Sequence, residues 1–128
     1  CGAIAYEADL DTDKVGICHC TDCQALSASA FRTVAIVDGD KFRLTKGTPK
    51  IYVKLGDSGN PRNQAFCPDC GSALYASEAS DTPTVYNVRV GTVRQRNDLS
   101  PKFEVFRSSA MPWLPDVEGT AIHERGAS

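Results

Sequence analysis

Six cysteines in a chain of 128 residues leave few ways for it to fold. They fall as Cys1, then Cys18-His19-Cys20-Thr21-Asp22-Cys23, then Cys67-Pro68-Asp69-Cys70-Gly71. In the last segment a turn between two cysteines aims both sulfurs at one tetrahedral ion. The glycine after it can take the positive φ that lets backbone amides approach the sulfurs. The middle segment, CxCxxC, packs three thiols into one hexapeptide. Spacing alone leaves two arrangements open, one zinc site closed by both clusters or two separate sites.

Disulfides are the other use of an even cysteine count. Cys18 and Cys20 are too close to pair with each other, and CPxCG is a common metal knuckle. No secretory signal is visible, so a reducing, cytoplasmic setting is expected, where such clusters bind metal or catalyse. An N-terminal nucleophile at Cys1-Gly2 would leave the other five cysteines unexplained.

The length suits a single domain with its own core. A net charge of −2, with lysines and arginines scattered, gives no case for nucleic acid or an anionic membrane. No apolar run approaches the roughly 20 residues of a membrane span. The chain does not begin with methionine, so it is expected to start inside a longer sequence. Oligomeric state is not readable.

Turn signals recur along the chain, and the segments between them are short and β-rich. Ala3 to Ala8 and Val15 to Cys18 read as a first pair of strands across the polar Asp9–Asp13 turn. Phe31 to Val37, Phe42 to Leu44, Ile51 to Leu55 and Gln64 to Phe66 follow. Leu74 to Ala76, Thr84 to Val90 and Phe103 to Phe106 complete the set. Only Cys20 to Ser29 reads as helical. The tail after about residue 114 shows no periodicity and is expected to be irregular and mobile. The class is mainly β.

If Val15 to Cys20 runs on as a strand, Cys18 and Cys20 share a face and Cys23 returns to them across a turn. Such a trio can cap one zinc and leave its fourth position to a non-local ligand, the open arrangement of catalytic sites. Zinc with three thiolates carries net −1 and is a poor activator of water. It can still bind an incoming thiol and deprotonate it. The alternative is that the trio joins the other cysteines in one closed structural site. His19 would point to the opposite face and is expected to be packed or hydrogen-bonded rather than a ligand. Cys67 and Cys70 need two more ligands. Cys1 is one candidate, and residues upstream, His123 or a water could supply the other. Arg89 shares a strand face with Val85 and Asn87 and could meet a ligand carboxylate, with a solvated arginine as the default.

Several segments, taken together, resemble the glutathione-dependent formaldehyde-activating enzyme family. They are Cys1-Gly2-Ala3-Ile4-Ala5-Tyr6-Glu7, Cys18 to Gln24, Gly56-Asp57-Ser58-Gly59-Asn60-Pro61, Phe66 to Leu74, Gly91-Thr92 and Pro112-Trp113. The resemblance implies one zinc-binding domain of this family over residues 1–128, with a β-tent fold of antiparallel sheets around zinc and one short helix. It implies a catalytic-type zinc on Cys18, Cys20 and Cys23, and a structural zinc on Cys1, Cys67 and Cys70. It further implies a carbon–sulfur lyase joining glutathione, or a similar small thiol, to a small aldehyde such as formaldehyde. The family opens on CxCG, so the missing structural ligand is expected upstream of Cys1. Many members carry a histidine and a tryptophan where this chain has Glu104 and Phe106, and arginines where it has Ser108 and Ala110. The loop of Asp57, Ser58 and Gly59 is a candidate lining of the site, with a plain turn as the default. A non-catalytic, zinc-stabilised binding module is the competing function.

Overall fold

In the computed structural model, which describes residues 1–56 and 58–126, the protein is mainly β, with two sheets and one α-helix among those residues. The strands are β1 (Ala5–Ala8), β2 (Val15–Cys18), β3 (Arg32–Asp38), β4 (Phe42–Lys46) and β5 (Lys50–Leu55). They continue with β6 (Pro61–Phe66), β7 (Ala73–Glu78), β8 (Val85–Arg89), β9 (Phe103–Val105) and β10 (Ala121–Ile122). The helix α1 spans Thr21–Ser27. An 8-stranded sheet runs β10-β9-β2-β3-β8-β7-β6-β5, and β1 pairs with β4 in a 2-stranded sheet.

One expectation about pairing is corrected. β1 and β2 are not partners: Thr12–Lys14 form a 3-10 turn, after which β2 pairs with β3 and β9. The strands are mostly antiparallel, as expected, with β2–β9 and β9–β10 as parallel ladders at one edge of the large sheet. A parallel neighbour needs a long crossover, here everything between β2 and β9, and no local signal announces it.

Strand alternation gives the large sheet two unlike faces. One presents Val15, Ala35, Val37 and Val88, each at most 1% exposed. The small sheet covers it, packing Tyr6, Ala8 and Phe42 onto that cluster. Phe42 is the hub, stacked on Tyr86 at 4.3 Å and Tyr6 at 5.4 Å, and edge-on to Tyr75 at 5.0 Å. Burying one such valine contributes roughly 1.5–3 kcal/mol. Gly16 lies opposite Phe103, and a Cβ there would overlap the Phe103 ring, so only glycine lets β9 close on β2.

The tail, expected to be irregular and mobile, adds β10 to the sheet edge. The Ala121 N–H donates to Lys102 O at 2.9 Å, and the His123 N–H to Glu104 O at 2.8 Å. No helix among the described residues is long and apolar enough to cross a membrane.

Candidate metal centres and the adjoining cleft

The six cysteines gather into two groups of three, and within each group the sulfurs lie within 4.8 Å of one another. Four sulfurs around a tetrahedral zinc at about 2.3 Å would stand about 3.8 Å apart. Cys1 Sγ and Cys67 Sγ are 3.7 Å apart, so their spacing fits zinc. In the knuckle Gly71 takes φ +78°, and its N–H donates to Cys67 O at 2.8 Å, which closes the turn between the two cysteines. Ser72, with its hydroxyl 3.2 Å from Cys70 Sγ, draws that thiol down to about 7. A polar groove of about 730 Å³ runs beside this group and under the small sheet. His123 belongs to neither group; its carbonyl accepts from the Arg107 N–H at 3.0 Å.

Cys18, Cys20 and Cys23 are placed by the strand-to-helix corner. β2 ends at Cys18, but the chain stays extended: the His19 N–H donates to Val105 O at 3.1 Å, and Cys20 has φ −60°, ψ 154°. Alternation therefore persists to Cys20, and Cys18 and Cys20 fall on one side. Cys20 also caps α1, its sulfur accepting the Cys23 N–H at 3.2 Å, as a serine or aspartate oxygen commonly does. Bonds from Cys18 and Cys23 hold the Cys20 thiol far below its usual value, while sharing its proton with Cys20 and Cys23 raises Cys18. Cys23 is raised too, since the bond from Cys18 is outweighed by the bond to Cys20 and by burial. Without metal the trio thus shares protons around one favoured thiolate.

His19 faces the other way and is fully buried, with Nε2 2.7 Å from Glu104 Oε1 and its ring edge-on to Phe31. Glu104 is fully buried as well. Its Oε2 accepts from the Thr120 hydroxyl at 2.9 Å and the Val117 N–H at 3.3 Å. Burial alone would raise its carboxyl, yet the bonds from His19, Thr120 and Val117 hold it below the usual carboxylate range. Gln24 adds a second tie, its amide donating to His19 O at 2.8 Å and Ser109 O at 2.9 Å.

The open face of the large sheet carries residues the motifs did not reveal. Arg32 is the cross-strand partner of Cys18, and Arg89 is the partner of Val34, so both guanidinium stems share the face of Cys18. Arg89, expected to be solvated by default, is only 6% exposed and donates to Gln64 Oε1 at 3.0 Å. Burial lowers it to about 9. Both arginines line a cleft of about 430 Å³ with Leu26, Lys50, Tyr52 and Gln64. At the far end of β5, Lys54 lies 3.4 Å from Asp22 in the first turn of α1. Of the Asp57–Gly59 loop, Asp57 lies outside the described residues.

A two-sheet β fold bearing two cysteine trios, each able to hold a metal ion, defines a class of cysteine-rich β proteins. The chain belongs to the glutathione-dependent formaldehyde-activating enzyme family, which matches residues 1–109. A crystal structure of a Rhodobacter sphaeroides protein is similar at a TM-score of 0.58 and 20% identity, covering 79% of this chain and 92% of that one. That likeness concerns the fold. No curated protein matches the chain.

Proposed function

We propose that the protein is a zinc-dependent carbon–sulfur lyase that forms and cleaves the adduct of glutathione, or a similar small thiol, with a small aldehyde such as formaldehyde. The observation that carries this reading is the Cys18/Cys20/Cys23 trio in a chain of this family. Among the described residues three sulfurs gather there and no fourth joins them. Zinc held by these residues would supply the acidity that converts an incoming thiol to a thiolate at neutral pH.

The chain's own residues do the rest. Cys18, Cys20 and Cys23 are presented by a corner that His19, Glu104 and Gln24 brace from behind. The cleft, with Arg32, Lys50 and Arg89 in its lining, admits an anionic thiol, and Leu26 of α1 forms part of its wall. The thiolate sulfur attacks the aldehyde carbon, a C–S bond forms, and the former carbonyl oxygen takes a proton to become a hydroxyl. The reverse step expels the thiolate and restores the aldehyde. Cys1, Cys67 and Cys70 would hold a second, structural zinc.

Exchange spectroscopy by NMR on glutathione and formaldehyde tests this reading. Zinc-loaded protein is expected to speed exchange between free aldehyde and adduct by roughly tenfold or more over buffer, and Cys20→Ser to abolish the gain. An exchange rate no faster than in buffer, with a single bound zinc indifferent to thiol, would point instead to a non-catalytic zinc-stabilised module.

A further inference from the structure

The geometry points to Arg32 and Arg89 as a carboxylate-binding subsite beside the cysteine trio, which selects thiols that carry a carboxylate. The inference rests on the thiol reading above and names the part of the substrate that the cleft holds.

Three observations carry it. First, the pair has hydrogen-bonding capacity to spare. The Arg89 guanidinium donates to a neutral amide oxygen, and Arg32 Nε is buried with no hydrogen-bond partner. Among the described residues neither arginine is ion-paired with an Asp or Glu, and the negative charge that reaches them is that of the cysteine trio, whose thiolates a bound ion would partly neutralise. Second, the charged groups in this largely apolar cleft are all cationic. Arg32, Arg89 and Lys50 line it, and no acidic residue is among its described lining. Third, the register separates two functions in space. Cys18 sits directly across from Arg32 on the neighbouring strand, yet none of the three cysteines lines the cleft. A ligand whose sulfur lies at the trio would extend its body past Arg32 into the cleft, with its carboxylate against the two guanidiniums. Planar guanidinium forks match a carboxylate's two oxygens, which a lone lysine would not. Leu26 and Tyr52 supply apolar walls that keep this pairing partly out of water.

The test compares two small thiols by titration calorimetry on the zinc-loaded protein, 3-mercaptopropionate and 3-mercapto-1-propanol. They differ in the carboxylate alone. The acid is expected to bind on the order of tenfold more tightly than the alcohol. Arg32→Gln and Arg89→Gln are each expected to erase that preference by weakening the acid more than the alcohol. Should Arg89→Gln fail to fold, Arg32→Gln and the wild-type comparison decide. Equal affinities in the wild type would overturn the inference and leave the thiol reading standing. So would an equal loss for both thiols in the variants, since the arginines would then be serving the sulfurs' charge. If neither thiol binds, the thiol reading fails and the subsite falls with it.

Discussion

Cys18, Cys20 and Cys23 come from one hexapeptide, whereas Cys1 is brought to Cys67 and Cys70 across most of the chain. The two trios have similar sulfur spacing but different mechanical roles. An ion on the distant trio would close a loop of more than sixty residues and remove much freedom from the unfolded chain. An ion on the local trio closes almost no loop, so its contribution to folding is small. Support runs the opposite way. The local trio is braced from behind by a fully buried His19–Glu104 pair and by Gln24, while Cys1 and Cys70 stand exposed around one buried partner, Cys67. The distant trio is built to hold the chain, and the local one to be held by it.

The largest effect that could break this comparison is loss of a sulfur. Cys67→Ser is expected to cost about 3 kcal/mol or more, with a melting temperature roughly 10 °C lower, whereas Cys20→Ser should cost about 1 kcal/mol or less. Thermal melts with metal analysis read both, and an equal loss for the two variants would erase the distinction. Next comes the brace. Glu104→Ala leaves His19 and Thr120 without their buried partner and is expected to cost about 3–5 kcal/mol, which makes the local trio depend on the tail. Because the folded carboxyl lies below its usual value, its contribution is present above the ordinary carboxylate range and is lost as pH falls through the folded value. Wild-type melting should therefore drop more steeply toward acid than that of Glu104→Gln.

The smallest effect joins the two regions. The Tyr6 hydroxyl, from the small sheet, donates to Thr92 Oγ1 at 2.7 Å, and the Thr92 hydroxyl donates to Arg89 O at 2.9 Å. Tyr6→Phe is expected to cost about 1 kcal/mol. A loss in thermal melts as large as that of Glu104→Ala would mean that the two regions stand or fall together.

The strands and the CxCxxC trio were legible because their signals are local, whereas the grouping of Cys1 with Cys67 and Cys70 was implied by the family resemblance. Alternation in Phe31–Val37 and Thr84–Val90 marked β3 and β8 to within a residue or two, and CxCxxC needed only the strand period to bring its sulfurs together. What stayed hidden depends on register and on distant partners. Arg32 reads as an ordinary strand residue until β3 is laid antiparallel to β2 and places it across from Cys18. Arg89 read by default as solvated because the partners that enclose it, Val34 across the β3–β8 ladder and Gln64 on β6, lie far off in sequence. Glu104 stood out only as a departure from the family pattern, and its role follows from a parallel ladder no turn signal predicts. The tail's lack of periodicity was real. Its order comes from a few backbone and carboxylate bonds, not from an apolar stripe.

The Glu104 contacts also bear on the order in which the protein can be assembled during synthesis. Both cysteine trios, β2 and α1 are synthesised before Val117 and Thr120. Until those residues emerge, Glu104 cannot be enclosed beside His19 with all its bonds in place. The cysteine-rich corner is thus translated early, and its bracing is completed last.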